Sequence, residues 1–131
     1  PDLVLKVLKG QDPLHILGDG SQVRHYTYGG DLAIGIRAAM DTDAAVDVDF
    51  NLSTATSTTV SELAQIIWRK INDGRPYSAV SDEPFDHDVQ MRVPDVTKAA
   101  RVLGFRAETS LDEMLDEVIP WISAEIDAGR M

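Results

Sequence analysis

The spacing of hydrophobic and polar positions divides the chain into short helices and short strands. The clearest alternation covers residues 46–52, where every second side chain is apolar and the others are Asp or Asn, which predicts a half-buried strand. A run rich in β-forming residues predicts another strand over 23–28, and 13–17 is expected to be a short extended segment. Apolar residues at helical spacing predict the remaining elements, which are helices at about 3–9, 31–40, 60–73, 95–104 and 111–126.

Polar residues at the predicted helix starts support these assignments. Two segments have the form of a capping box, in which a hydroxyl and a glutamate satisfy each other's backbone N–H groups: Thr59-Val60-Ser61-Glu62 and Ser110-Leu111-Asp112-Glu113. Asp31 and Asp95 are placed to cap two further helices. Pro120 lies inside the last predicted helix and is expected to kink it or to occupy a strained turn.

The order of these elements indicates a mixed α/β chain with more helix than strand. A length of 131 residues suits one domain or a large part of one, and the sequence contains no internal repeat, low-complexity tract or linker. Because the strands are too few to form a parallel sheet of their own, we expect the chain to be part of a larger domain.

Composition and charge exclude several functional classes. The formal net charge of −10 repels nucleic acid and anionic membranes at long range, so neither is expected as a partner. There is no apolar run of transmembrane length and no signal peptide, so a cytoplasmic protein is expected. The absence of cysteine excludes disulfides and thiol catalysis. Asp47 and Asp49 share one outward strand face and do not match a calcium loop, so no metal site is predicted.

The segment 18–33 carries the most chemical information. It consists of a Gly-containing turn, a predicted strand, a second Gly-containing turn and a helix, with Arg24 in the strand between the two turns. An arginine beside flexible glycines can approach a phosphate group closely. The alternative for Arg24 is a solvated or ion-paired surface arginine, and the residues alone leave both open.

Several motifs, in order along almost the whole chain, resemble one family. The segment 18–33 is similar to G-x-G-x-Q-x-R followed by an aromatic and a D-x-A, and 50–53 is similar to (Y/F)-N-(I/L)-G. Further similarities are a (T/S)-V-x-E-L-A helix at 59–67, a D-x-(S/T)-K-A segment followed by L-G-F at 95–105, and (S/T)-L-x-E at 110–113. These motifs resemble the extended short-chain dehydrogenases that act on nucleotide sugars, such as UDP-galactose 4-epimerase and dTDP-glucose 4,6-dehydratase.

The resemblance implies a role for individual residues. Arg24 matches the family's arginine that holds the substrate diphosphate, and Arg92 matches an arginine often placed near the same group, with a solvated loop arginine as the alternative for Arg92. The segment 13–17 matches the lining of the nucleobase pocket, although Leu17 stands where the family often has Tyr, and His25 stands where Asp is usual. The substrate-binding residues expected from the resemblance are Arg24, Arg92, His15, Ile16, Leu17, Gln22 and Asp88, with Asp88 either touching the ligand or solvated in its loop.

The chemical motifs of the family are absent from this sequence. It contains neither the Gly-rich turn that seats a dinucleotide nor the Tyr-x-x-x-Lys that serves as acid and base, so no catalytic and no cofactor-binding residues are predicted. The resemblance implies NAD or NADP for the complete enzyme, which would oxidise a sugar ring transiently and then epimerise, eliminate or reduce. The isolated chain is expected to be inactive.

The expected fold is therefore the small C-terminal substrate-binding lobe, residues 1–131, that packs over the strand ends of an N-terminal Rossmann domain outside this sequence. Its partners would be that domain and a nucleoside-diphosphate sugar, in carbohydrate metabolism. The isolated chain should expose an apolar patch and form homodimers or larger assemblies. The alternative is a non-catalytic interaction or regulatory domain with a vestigial ligand pocket.

Overall fold

The computed structural model describes all 131 residues, from Pro1 to Met131. Helices dominate, and the strands are short, which confirms the predicted helix-rich α/β class. No helix combines the length and the apolar character that crossing a bilayer would require. The helices are α1 Asp2–Leu8, α2 Gly29–Met40, α3 Val60–Ile71, α4 Thr97–Leu103 and α5 Leu111–Asp127, and the strands are β1 Leu14–Leu17, β2 Val23–Arg24, β3 Thr58–Thr59 and β4 Ala79–Asp82.

The four strands form two separate two-stranded sheets. β1 pairs with β4 in parallel, and the register aligns Leu14 with Ala79. β2 pairs with β3 in the antiparallel sense, with Val23 opposite Thr59. Neither pair is large enough to be stable without helices packed against it. The chain therefore depends on its helices for a core, as the small number of predicted strands indicates.

The main hydrophobic core lies between three helices and β1. The apolar faces of α1, α3 and α5 meet on the inner side of β1, which explains why each helix carries apolar residues at helical spacing. Trp68 of α3 is only 2% exposed and is the largest buried side chain. The buried members of this core are Val4, Val7, Leu14, Ile16, Ala64, Ile67, Trp68, Leu115 and Ile122.

Helix α2 packs outside that core, against α4 and the loop that follows it. Gly35 lies against the ring of Phe105 so closely that an added Cβ would stand 3.0 Å from it, which explains a glycine in the middle of a helix. A neighbouring stripe of α2 is apolar but uncovered, with Ile36 49% and Met40 80% exposed. We call Leu32, Ile36 and Met40, which follow one another four residues apart, the α2 outer face.

Both predicted capping boxes are confirmed. The Thr59 hydroxyl accepts from the Glu62 N–H at 3.1 Å, and the Glu62 carboxylate accepts from the Thr59 N–H at 2.7 Å. Ser110 and Glu113 make the same pair at the start of α5. The hydrogen bonds from Thr59 hold the pKa of Glu62 below its ordinary value. The first box stabilises the start of α3, which follows β3 directly in the chain. Because β3 pairs with Arg24, this box also helps to position the strand next to Arg24.

The predicted strand over 46–52 is wrong. A short 3₁₀ turn, Asp43–Ala45, leads into this segment, Asp47 has a left-handed backbone (φ 57°), and residues 48–54 belong to no helix or strand. Val46 remains 71% and Val48 38% exposed. Alternation alone does not make a strand, because a strand needs a neighbour to accept and donate its backbone hydrogen bonds, and no strand of this chain pairs with this segment.

Other local predictions need smaller corrections. Asp31 does not cap α2, because the helix begins two residues earlier and the buried carboxylate instead accepts from the N–H of Thr109 at 2.9 Å and from its hydroxyl at 3.1 Å. Asp95 lies one residue before the N-cap position of α4, which is Val96, although its carboxylate accepts from the N–H of Thr97 at 2.9 Å. The strand predicted over 23–28 pairs only at Val23–Arg24. Helix α5 continues through Pro120.

Candidate functional site

The backbone around β2 brings two distant arginines together. On one side, Val23 pairs with β3. On its other side the Val23 N–H donates to Gln90 O at 2.8 Å, and its carbonyl accepts from the Arg92 N–H at 3.2 Å. Because Arg24 follows Val23 directly, this pairing places Arg24 and Arg92 at the same edge of the structure. The two residues that the resemblance associates with one diphosphate are therefore neighbours in space.

A polar cleft of about 670 Å³ lies at this edge, and both arginines line it. Only three of its nine lining residues are hydrophobic, and none is a carboxylate. In a chain with a net charge of −10, this wall has two arginines and no acid, and Asp88, which pairs with Arg24 at 3.1 Å from behind the wall, offsets one of the two positive charges. The lining consists of Arg24, His25, Tyr26, Asn51, Ser53, Arg92, Val93 and Pro94, with Val60 from the start of α3.

The guanidinium of Arg24 donates two hydrogen bonds within the protein and keeps further N–H donors available. Nη1 donates to the Val23 carbonyl at 2.9 Å, and Nη2 donates to Asp88 Oδ1 at 3.1 Å. The side chains of Arg24 and Asp88 are 23% and 16% exposed, so this ion pair is largely sheltered from water. A guanidinium carries five N–H donors, which leaves several for a ligand. Arg92 is exposed at the cleft. Such a pair suits an anion with several oxygens, such as a diphosphate.

The opposite wall comes from residues 51–53, in the irregular segment that follows α2, together with Tyr26. Asn51 Nδ2 donates to the Asp95 carbonyl at 3.0 Å. The Ser53 and Thr27 hydroxyls share a hydrogen bond of 3.0 Å. Burial raises the pKa of Tyr26, although the nearby charge of Arg24 acts in the opposite direction, so Tyr26 lines the cleft as a neutral phenol at neutral pH. This wall therefore offers neutral hydrogen-bonding groups rather than charge.

His25 links the two walls. Its Nδ1 lies 2.8 Å from the Thr54 carbonyl, and its Nε2 lies 2.9 Å from the Ser57 hydroxyl. The carbonyl can only accept, so Nδ1 carries a proton, and Nε2 shares a hydrogen bond with the Ser57 hydroxyl. Both ring nitrogens are thus used to attach the 53–57 segment to the strand after β2. His25 departs from the family pattern, in which Asp is usual at this position. In the structure its two ring nitrogens make contacts within the fold.

Gln22 and Asp88 lie behind Arg24. Gln22 is 3% exposed, and its Nε2 donates to the Leu17 carbonyl at 3.1 Å and to Asp88 Oδ2 at 3.0 Å. The Gln22 Oε1 atom is buried with no hydrogen-bond partner. Gly18 makes room for this amide, since a Cβ on Gly18, which has φ +66°, would lie 2.7 Å from Gln22 Nε2. Neither Gln22 nor Asp88 belongs to the cleft lining.

The three residues predicted to line a base pocket lie on β1, apart from the cleft wall. The Ile16 side chain is 6% exposed and belongs to the hydrophobic core. His15 Nδ1 lies 2.7 Å from Asp82 Oδ1 across the β1–β4 pair. Leu17 contributes its carbonyl to Gln22. Their part in binding a base stays a prediction, and for Ile16 it would have to involve backbone atoms.

Three further residues line the cleft, although the sequence does not predict them as site residues: Tyr26, Asn51 and Ser53. Asn51 and Ser53 stand inside a segment that is similar to a family motif, which was the one available signal.

A second cleft, of about 780 Å³, lies between α1, α3, α5 and residues 25–29, and eleven of its sixteen lining residues are hydrophobic. No group of three or more potential metal ligands is present. The arginine cleft is therefore the candidate site for a charged ligand.

The family model and the most similar curated proteins that match this chain are all named for nucleotide sugars. The GDP-mannose 4,6 dehydratase family matches residues 1–118. UDP-glucuronic acid decarboxylase 1 of Danio rerio is 32% identical over 126 residues, which are 96% of this chain and 29% of that protein. A putative UDP-glucose 4-epimerase of Methanocaldococcus jannaschii is 34% identical over 117 residues, 89% of this chain and 36% of that protein. The chain thus spans about a third of the length of these relatives.

Solved structures share the fold over nearly the whole chain. An epimerase of Methanothermobacter thermautotrophicus matches 98% of this chain and 38% of its own, with a TM-score of 0.88 and 27% identity. The UDP-glucose 4-epimerase of Thermotoga maritima, solved with UDP-glucose, matches 95% of this chain and 39% of its own, with a TM-score of 0.82 and 28% identity. MoeE5, solved with UDP-glucuronic acid and NAD, matches 95% of this chain and 40% of its own, with a TM-score of 0.75 and 26% identity.

Proposed function

Because the chain belongs to the GDP-mannose 4,6 dehydratase family of extended short-chain dehydrogenases, which includes nucleotide-sugar epimerases and dehydratases, we propose that it is the substrate-binding part of such an enzyme. In this proposal residues 1–131 form the C-terminal nucleotide-sugar-binding region of a longer protein. The observation that carries the proposal is the polar cleft in which Arg24 and Arg92 meet without an opposing carboxylate in the wall.

The proposed ligand is a nucleoside-diphosphate sugar. Its diphosphate would lie between Arg24 and Arg92, where charge-assisted hydrogen bonds to phosphate oxygens are available from both sides. Asn51 and Ser53 would supply neutral hydrogen bonds on the opposite wall. The similarity to enzymes named for UDP-glucose and UDP-glucuronic acid supports a UDP-linked sugar as the first ligand to test.

The redox cofactor of such an enzyme, NAD or NADP, would be held elsewhere in the longer protein. Dinucleotides bind where a Gly-rich turn opens a helix whose N-terminal N–H groups face the pyrophosphate. Four of the five helices here carry Asp or Glu in their first turn, which opposes an anion at that end. The residues of this chain therefore do not fit the cofactor, and the proposal assigns them no step of the hydride transfer.

The α2 outer face and residues 48–52 have the features of surfaces that another part of a longer protein covers. The outer face is apolar and exposed, and residues 48–52 carry backbone groups without a strand partner. Soluble proteins normally cover such surfaces. We propose that the rest of the longer protein packs against them, and that an isolated copy of this chain self-associates through the same face.

A ligand series tests the proposed function. The full-length protein, loaded with its cofactor, is titrated with UDP, UMP and uridine by calorimetry. We expect UDP to bind roughly 10-fold or more tightly than UMP, because the second phosphate adds a charge-assisted contact to the arginine cleft. Equal affinities for UDP, UMP and uridine would show that no diphosphate site exists and would favour an interaction domain with a vestigial pocket.

A further inference from the structure

We propose that Asp88, held in place by Gln22, is a positioning residue that orients the Arg24 guanidinium toward the cleft. This inference rests on the proposed function, because it assumes that Arg24 binds the diphosphate. It assigns Asp88 and Gln22 an action through Arg24 in place of direct contact with the ligand. Two neighbouring residues, Gln22 and Arg24, and the distant Asp88 form the arrangement.

The geometry forms a continuous chain of hydrogen bonds. Arg24 Nη2 donates to Asp88 Oδ1 at 3.1 Å, and Gln22 Nε2 donates to Asp88 Oδ2 at 3.0 Å, so each carboxylate oxygen has its own partner. Gln22 Nε2 also donates to the Leu17 carbonyl at 3.1 Å. This second bond anchors the arrangement to β1. A carboxylate fixed from both sides can hold the guanidinium in one orientation.

The unpaired side-chain oxygen of Gln22 indicates that the hydrogen bond to Asp88 decides how this amide group is oriented. Both the Leu17 carbonyl and the Asp88 carboxylate are acceptors, so the NH₂ group must face them and Oε1 must face away. Oε1 is then buried without a partner, which is unfavourable and uncommon in folded proteins. The amide tolerates this defect while it fixes the Asp88 carboxylate, which is the behaviour expected of a positioning residue.

Asp88 leaves Arg24 available for an anion. It engages one terminal nitrogen, and the other terminal nitrogen donates to the Val23 carbonyl, so N–H groups remain on all three nitrogens of the guanidinium. Asp88 does not line the cleft, whereas Arg24 does, so the carboxylate approaches from behind. A long arginine side chain loses conformational freedom when it binds phosphate, and prior orientation by Asp88 reduces that loss.

A double-mutant cycle tests whether Asp88 acts through Arg24. The full-length, cofactor-loaded protein is prepared with Asp88→Ala, Asp88→Asn, Arg24→Ala and the Asp88→Ala/Arg24→Ala pair, and the affinity for UDP is measured by calorimetry. We expect Asp88→Ala to weaken UDP binding roughly 5- to 20-fold in the parent and by less than about twofold when Arg24 is already Ala. Asp88→Asn keeps an acceptor for Arg24 and should lose less. Uridine affinity should not change.

The matched control is Asp86→Ala, which removes the same charge from an exposed position in the same loop. It should leave UDP affinity within about twofold of the parent. An equal loss from Asp88→Ala in both backgrounds, tighter UDP binding, or loss of folding in both Asp88 variants would overturn the positioning role. If Arg24→Ala alone has no effect on UDP, the proposed function itself fails; if Arg24→Ala weakens binding and Asp88→Ala does not, only this inference fails.

Discussion

Replacing Arg24 with Ala is expected to weaken binding of a UDP-sugar to the full-length protein roughly 10- to 150-fold, which corresponds to the loss of about 1.5–3 kcal/mol for charge-assisted contacts to phosphate. The reason is local. The chain is strongly acidic, and Arg24 is one of two arginines that make the cleft positive. Equilibrium titration with UDP-glucuronic acid measures the effect.

Two further variants distinguish a specific contact from a general loss of charge. Arg24→Lys should recover only part of the affinity, because an ammonium group cannot make the two-pronged contact of a guanidinium. Arg101→Ala removes an equal charge from an exposed position on α4, outside the cleft, and should leave affinity within about twofold. Arg24→Ala with a loss below about twofold would contradict the assigned role.

Replacing Trp68 with Ala is expected to lower the free energy of unfolding by about 3–5 kcal/mol, the range for removing a buried aromatic side chain. Trp68 is 2% exposed in the core between α1, α3 and α5. Its ring meets the Tyr77 ring edge-on at a centroid distance of 6.0 Å, and its N–H donates to the Arg75 carbonyl at 3.2 Å. The substitution therefore removes core packing and one tertiary hydrogen bond. Urea unfolding of the chain followed by circular dichroism measures the loss.

Trp121 provides a control of the same residue type. It lies on α5 and is 54% exposed, so Trp121→Ala should cost about 1 kcal/mol or less. If the two substitutions cost the same, the described core would be wrong. The contrast also concerns the site, since α3 carries Trp68 and begins directly behind the strand that pairs with Arg24.

The sequence predicted the helices well because their signals are local. The two capping boxes and the apolar spacing of α3 and α5 depend on residues within a few positions of one another, and the structure confirms them. The strands were predicted less well because pairing depends on distant residues. The alternation over 46–52 predicted a strand but could not reveal that no other strand of the chain pairs with this segment.

The candidate site shows the same division. Arg24 and Arg92 were selected by resemblance, but their proximity depends on the pairing of Val23 with residues 90–92, which no local pattern predicts. Asn51 and Ser53 line the cleft because the irregular segment after α2 runs along it. The alternation of apolar and polar residues in that segment does not predict which side chains face the cleft. The contacts of Asp88 with both Gln22 and Arg24 span more than 60 residues, so they too required the structure.

If Arg24 and Arg92 bind the diphosphate of a nucleotide sugar together, a crystal structure of the full-length protein with UDP-glucuronic acid will show both contacts. We expect phosphate oxygens within about 3.2 Å of guanidinium nitrogens of both arginines, the range of a normal hydrogen bond. A diphosphate bound elsewhere, with neither arginine in contact, would show that the proposed binding site is wrong.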